Sequence, residues 1–232
     1  MAAIARWALL ALFTAIVGCS PGKQISLDPA AKQAVEDLRQ RAENGDPVAQ
    51  WELGSRYDTG QGVPRDAAET EKWYRRAADS GYAEAQNSLG STYQADRRYS
   101  EAVAWYQKAA DQNHTLALNN LAYMYDLGLG VTQDRRHAFE LYMKAADQGN
   151  PQAMFNIAVV YGAGQLGAED LSQAYIWTLR AKRYRTNCFS RDAKLDRRVD
   201  GGIRYAEGKL SSAEQARARR IAADWSPAGV CK

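Results

Sequence analysis

The chain has 232 residues, of which 46% are apolar, and it carries a net charge of +3. This apolar content is enough for a packed core, and it excludes the class of intrinsically disordered proteins that are too polar to fold. The length allows one large or two small domains.

The first 18 residues have the features of a signal peptide. A single basic residue, Arg6, precedes an apolar run of eleven residues from Trp7 to Val17. A membrane-spanning helix needs about 20 apolar residues, so this run is too short to cross a bilayer. Residues 1–18 are therefore predicted to be a signal peptide and are set aside from fold reasoning.

The residues around Cys19 resemble the lipobox of bacterial lipoproteins, because small residues precede a cysteine at the end of the apolar run. The resemblance implies cleavage before Cys19, acylation of Cys19, and a lipidated tether over residues 19–28. Several acyl chains on one residue anchor a protein stably. Ser20 stands where inner-membrane retention would need aspartate, which implies an outer-membrane lipoprotein facing the periplasm. The alternative is an ordinary secreted protein with a stray Cys19.

Four units of similar sequence follow, at residues 45–80, 81–112, 113–148 and 149–184. Each has an alanine, a leucine or isoleucine, a small residue and a tyrosine at matching positions. In the first unit these are Ala49, Leu53, Gly54 and Tyr57. This spacing places one apolar stripe on a helix, and the small residue allows a second helix to approach closely.

Glycines mark the turns between the two helices of a unit. Gly60 and Gly128 follow the first helix of their units, where glycine supplies the positive φ of a helix end. Asp66 and Asp134 stand where the second helix begins, and they are predicted to cap it. No strand precedes these glycines, so they are interpreted as turns and not as phosphate-binding loops.

The strings AQWELGSRYDTGQGVPRD, WYQKAADQ and LAYMYDLGLGVTQD closely resemble the Sel-one-like repeat family, which is related to the tetratricopeptide repeats. The resemblance covers residues 45–184. It implies an all-α fold, a right-handed superhelical solenoid of helix-turn-helix repeats with helical caps.

Both ends of the array are predicted to be capped by helices. Residues 29–184 would comprise an N-terminal cap helix and the four repeats, with Leu38 and Ala42 packing onto the first unit. Residues 185–232 would form the C-terminal helical cap. Ser211 and Glu214 form a capping box that opens its last helix. The apolar stripe of that helix is Ala218, Ile221, Ala222 and Trp225.

Two cysteines, Cys188 and Cys231, remain once Cys19 is acylated. An even pair in an oxidising compartment suggests a disulfide that staples the C-terminal cap. The pair encloses 42 residues, and loop entropy gives roughly 4 kcal/mol for closing a loop of this size. The alternative is two buried free thiols.

Catalytic candidates are few. Of the two histidines, His114 is interpreted as a surface turn residue, and His137 has no carboxylate or cysteine at metal-binding spacing. The sequence has no nucleophile elbow or zinc-protease motif. We therefore expect no enzyme activity, no metal and no cofactor. Some cysteine-rich members of the resembled family have been discussed as β-lactam-hydrolysing proteins, but their paired cysteine in each repeat is missing from this chain.

The resemblance to tetratricopeptide arrays implies a concave groove lined by the first helix of each unit. Its asparagines would bond the backbone of an extended peptide, and its aromatic side chains would act as anchors. The partner-binding residues predicted in this way are Trp51, Ser55, Asp58, Asn87, Ser91, Asn119, Tyr123, Asp126 and Phe155. The alternative is that the aromatic residues close the core and the asparagines face water.

Charge is concentrated near the C-terminus. Residues 180–220 hold 13 basic and 5 acidic side chains, a net charge of +8. This region could meet anionic lipid, lipopolysaccharide phosphate or an acidic partner, or it could be an ordinary solvated helix face.

The sequence thus predicts a monomeric cell-envelope lipoprotein that binds an envelope protein or extended peptide as an interaction scaffold. The alternatives are a structural lipoprotein that binds peptidoglycan or anionic lipid, and an enzyme acting on cell-wall material. The predicted compartment excludes nucleic acid as a partner.

Overall fold

A computed structural model of the chain describes residues 29–185 and 192–227. Within these ranges the backbone forms eleven α-helices and no β-strand. The helices are α1 (Pro29–Glu43), α2 (Pro47–Thr59), α3 (Ala67–Asp79), α4 (Ala83–Ala95), α5 (Tyr99–Asp111), α6 (Thr115–Leu127), α7 (Arg135–Asp147), α8 (Pro151–Gly162), α9 (Leu171–Tyr184), α10 (Ala193–Glu207) and α11 (Ser212–Asp224). The predicted signal peptide and the three cysteines Cys19, Cys188 and Cys231 lie outside the described residues.

Helices α2 to α9 form four consecutive hairpins. The two helices of each hairpin pack on each other, and the second helix also packs on the first helix of the next hairpin. Helix α1 packs on α2, while α10 and α11 both pack on α9. This arrangement confirms the predicted all-α solenoid of four helix-turn-helix units.

The turns form as their residue types dictate. Gly60 and Gly128 end α2 and α6 with φ of 78° and 69°, in the left-handed region where a side chain would be strained. The carboxylates of Asp66 and Asp134 accept hydrogen bonds from backbone N–H groups in the first turns of α3 and α7. Both predicted helix ends and both predicted N-caps are confirmed.

Glycine allows the two helices of the first and second hairpins to come close together. A Cβ added to Gly54 would lie 2.7 Å from Cδ1 of Tyr74, and one added to Gly90 would lie 2.7 Å from Cδ1 of Tyr106. Both tyrosine rings are buried. The rings therefore pack directly against the backbone of the first helix.

The N-terminal cap packs as predicted. Leu38 and Ala42 of α1 are buried in one apolar cluster with Ala49 and Leu53 of α2. The first hairpin is therefore covered on the side where no preceding repeat packs on it.

The C-terminal cap differs in part from the prediction. The capping box of Ser211 and Glu214 is present, but Ile221 is 40% exposed, so its assignment to the apolar stripe is wrong. Helix α11 meets α9 through a narrow stripe that buries Ala218 and Ala222, and Ile221 lies beside it. Helix α10 was not predicted individually, although its buried residues have helical spacing.

None of the described helices has the length and apolar character that a membrane span requires.

We expect Gly90→Ala to destabilise the fold by about 1–3 kcal/mol, because the new methyl group would overpack the Tyr106 contact. Thermal or urea unfolding measures this change. The matched control is Gly201→Ala in α10, where an added Cβ meets no atom within 4 Å. Alanine should there raise stability by up to about 1 kcal/mol through helix propensity. Equal effects at both positions would contradict the proposed contact.

Candidate partner-binding face

The first helices of the four hairpins, α2, α4, α6 and α8, form a continuous surface that we call the first-helix face. One side-chain hydrogen bond joins each neighbouring pair of these helices. The bonds run from Trp51 Nε1 to Ser88 Oγ (3.0 Å), from Asn120 Nδ2 to Asn87 Oδ1 (3.0 Å) and from Asn156 Nδ2 to Asn119 Oδ1 (3.1 Å). They recur at the same two repeat positions and fix the register between units.

These bonds give the two predicted asparagines a role within the fold. Asn119 is only 7% exposed and Asn87 is half-buried. Their side-chain oxygens already accept bonds from the next hairpin, so binding a peptide backbone through these oxygens would compete with a contact between repeats. Their part in partner binding stays a prediction, and their part in joining the units was not foreseen.

The three predicted aromatic anchors differ in accessibility. Trp51 is half-buried and packs edge-on against Tyr82, with ring centroids 6.0 Å apart. Phe155 is only 8% exposed, and the guanidinium of Arg198 covers its ring at 4.6 Å from the centroid. Tyr123 is 40% exposed on α6. Of the three, Tyr123 is the side chain that a partner can reach most readily.

The predicted serines and aspartates lie in three places. Asp58 and Ser91 line one pocket of about 530 Å³ between the first and second hairpins. Ser55 is half-buried on α2. Asp126 is half-buried on α6, where burial raises the pKa of its carboxyl above the ordinary range, although Arg135 Nε lies 3.7 Å away.

Buried tyrosines of the second helices reach the same face through their hydroxyl groups. The Tyr106 hydroxyl lies 2.8 Å from Gln94 Oε1 and 3.1 Å from Ser91 Oγ, both on α4. Burial raises the pKa of Tyr106 to about 12, so this hydroxyl stays protonated at physiological pH. Sequence patterns assign such tyrosines to the core and do not show that their polar ends lie near this surface.

Exposed apolar residues cluster on the third and fourth hairpins. Leu116, Tyr123 and Leu127 lie on one stripe of α6, and Val159 extends it onto α8. Tyr205 of α10, which is 58% exposed, lines a further pocket of about 300 Å³ together with Val159 and Phe155. A clustered set of exposed apolar side chains marks a surface for interaction.

The structure also brings together two regions that the sequence offers as separate binding sites. The basic C-terminal region and the groove meet where Arg198 of α10 stacks on Phe155 of α8. The sequence contained no signal for this contact, because it links residues 43 positions apart through a helix outside the repeats.

Both histidines make contacts within their own hairpin. His114 Nδ1 accepts a hydrogen bond from the Ala117 backbone N–H at the start of α6, and burial lowers the pKa of its imidazole. His137 packs edge-on against Tyr125. Its Nδ1 lies 3.8 Å from Glu140 Oε2, three residues on along α7, so the expectation that it has no carboxylate at metal-binding spacing is wrong. No group of three or more metal-binding side chains occurs among residues 29–185 and 192–227.

Comparison with known proteins places these features in a family. The Sel1 repeat model matches residues 47–82, 83–114, 115–150 and 151–183. None of the curated proteins compared with the chain matches it.

Two solved structures share the fold at 28% sequence identity. One is a protective antigen present in uropathogenic Escherichia coli strains that displays an SLR fold, with a TM-score of 0.74 over 85% of this chain and 41% of that chain. The other is a Sel1 repeat protein from Oxalobacter formigenes, with a TM-score of 0.65 over 83% of this chain and 79% of that chain. The chain thus spans well under half of the antigen. With four consecutive repeat matches covering more than half of its length, the chain belongs to the Sel1 repeat family.

Proposed function

We propose that the chain is a cell-envelope lipoprotein that binds another protein through the first-helix face. Sel1 repeat proteins typically act as scaffolds for protein interaction. The observation that carries the proposal for this chain is the exposed apolar stripe of Leu116, Tyr123 and Leu127, which continues to Val159 on the next hairpin. Burying such residues against a partner would remove apolar area from water.

The alternative, a structural lipoprotein that binds peptidoglycan or anionic lipid, is less well supported. Several basic residues of the C-terminal region are paired internally. Arg185 lies 3.2 Å from Asp196, Lys182 lies 3.4 Å from Asp200, and a third ion pair joins α11 to α10. These three basic side chains bind carboxylates within the cap and are therefore not free donors for a polyanion, although the region keeps its net charge of +8.

The scaffold proposal is tested with a Tyr123→Ala variant. The amount of partner that it captures from a crosslinked cell envelope is measured in a quantitative pull-down. Truncating an exposed aromatic anchor should weaken capture by about 1–2 kcal/mol, without changing the melting temperature. The control is Lys144→Ala, which removes an exposed side chain from α7, a second helix. If the two variants reduce capture equally, the first-helix face is not the binding surface.

We further propose that Cys19 anchors the protein to the outer membrane. The support is the sequence Ile16-Val17-Gly18-Cys19 at the end of the apolar run. The described fold begins at residue 29, which leaves a tether of nine residues after the cysteine. Acylation of one residue with several chains would be sufficient for stable anchoring.

Replacing Cys19 with serine removes the thioether attachment. The variant should move from the membrane pellet to the soluble periplasmic fraction in a fractionation experiment. A Ser20→Ala variant, which keeps the cysteine, should stay in the pellet. Membrane association of the Cys19→Ser variant at the level of the unmodified chain would refute the anchor.

The disulfide between Cys188 and Cys231 is also proposed, with support from contacts beside the two cysteines. The ring of Tyr184 lies 5.7 Å from that of Trp225, and Arg183 Nη1 donates to the Ala223 carbonyl at 2.8 Å. The cysteines follow these paired residues by four and six positions. Each connecting segment is long enough to bring its cysteine to the other.

Alkylation of the denatured, unreduced protein should therefore leave Cys188 and Cys231 unmodified, and prior reduction should make both reactive. Peptide mass mapping measures both states. Because the bond closes a long loop, its reduction should also lower stability by about 2–4 kcal/mol. Two alkylated cysteines before reduction would show free thiols instead.

A further inference from the structure

One position of each second helix is equivalent to the tyrosine that packs against the glycine of the first helix in the first two hairpins. This row consists of Tyr74, Tyr106, Tyr142 and Thr178. In the first two hairpins the tyrosine ring fills the space against a glycine backbone. In the fourth hairpin threonine replaces the ring, and Gly202 of α10 packs next to the smaller side chain, where an added Cβ would lie 3.3 Å from Thr178 Cγ2.

A pocket of about 300 Å³ lies at this position. Its walls include Ala158 and Phe155 of α8, Thr178 of α9, and Gly202 and Tyr205 of α10. The Thr178 hydroxyl donates to the Ala174 carbonyl at 2.6 Å, inside its own helix. The wall is therefore mainly apolar, and its volume is at the lower end of the range for ligand pockets.

A cation lies against one of the residues that form this pocket. The guanidinium of Arg198 stacks on Phe155, 4.6 Å from the ring centroid, and Phe155 is one of the pocket walls. Within the described part of the chain, Arg198 has no hydrogen bond and no ion pair. A stacked guanidinium keeps its N–H donors at the edge, in the geometry that binds a carboxylate with two parallel bonds.

Tyr142 of the third hairpin is a further polar residue within electrostatic range of Arg198. Tyr142 is 1% exposed, and, unlike Tyr106, its hydroxyl makes no hydrogen bond to any described residue. Burial is the main cause that raises the Tyr142 pKa, Asp126 and Tyr123 raise it further, and Arg198 lowers it, which brings these groups into electrostatic range. The carboxylate of Asp126 has its own cation in Arg135, at 3.7 Å.

We propose that this pocket binds an aromatic side chain of an extended, acidic segment of the partner protein, and that Arg198 binds a carboxylate next to that side chain. Charge favours such a segment, because residues 180–220 carry a net charge of +8. The inference rests on the proposed scaffold function and names the chemistry of its partner.

The probe is a labelled seven-residue peptide that has one phenylalanine flanked on each side by two glutamates, with glycine at both ends. Binding to the full chain is measured by fluorescence polarisation at low salt. We expect saturable binding that weakens at least tenfold when alanine replaces the phenylalanine, and at least tenfold when glutamines replace the glutamates. No binding of the probe up to millimolar protein would overturn the proposal, as would equal binding of all three peptides.

Three protein variants locate the site. Thr178→Tyr restores the residue type of the other hairpins and fills the pocket, while Val159→Glu adds a repelling charge at the exposed rim. Arg198→Glu reverses the proposed carboxylate donor. Each should weaken peptide binding at least tenfold, with the melting temperature checked for every variant.

The matched control is Arg197→Glu, which makes the same charge reversal at the neighbouring exposed residue of α10. It should change binding less than twofold, and a loss equal to that of Arg198→Glu would show attraction by net charge only, against the proposal. Sedimentation tests for a second copy of the chain as the occupant. Self-association that Thr178→Tyr abolishes would also overturn the assignment.

The outcome can be separated from that of the scaffold proposal. If Tyr123→Ala weakens capture of the envelope partner but Thr178→Tyr and Arg198→Glu do not, the first-helix face stands as the binding surface and this pocket does not. If none of the three weakens capture, both proposals fail.

Discussion

The close packing of a tyrosine ring against a helix backbone is the contact on which the rest of the array depends. In the first two hairpins, Gly54 and Gly90 leave no room for a side chain between the first helix and the ring of the second. The ring fixes the separation of the two helices. It also carries the tyrosine hydroxyl through the hairpin to the opposite surface, as Tyr106 shows. A core residue thereby determines part of the chemistry of the first-helix face.

The contacts between units depend on a different interaction. Apolar packing of alanine and leucine is tolerant of small shifts, whereas a hydrogen bond requires a defined distance and direction. The bonds from Asn120 to Asn87 and from Asn156 to Asn119 supply that definition between consecutive hairpins. Since a buried amide that loses its partner costs roughly 1–3 kcal/mol, a slipped register would be unfavourable.

The parts of the fold that could be predicted are those that local spacing encodes. The repeat positions of Leu53 and its equivalents, the turn at Gly60 and the cap at Asp66 all follow from contacts within about twenty residues. The low exposure of Asn119 and Phe155 could not be predicted from such local contacts, because side chains from the next hairpin and from α10 cover these two residues. The replacement of tyrosine by Thr178 could be read from the repeat alignment. The pocket beside this threonine could not be predicted, because α10, which lies outside the repeats, forms another of its walls.

The two ends of the first-helix face differ in polarity, so the face is not the same along the array. Ser55 and Ser91 occupy the first two hairpins at the positions where the third and fourth carry Tyr123 and Val159. If Cys19 carries lipid and the array points away from the bilayer, α1 and the polar end lie next to the membrane, and the apolar end with Arg198 lies at the far end of the array. A partner bound there would be held away from the bilayer surface. Its apolar segment would then meet the pocket without competition from lipid, which would otherwise cover exposed tyrosine and leucine side chains.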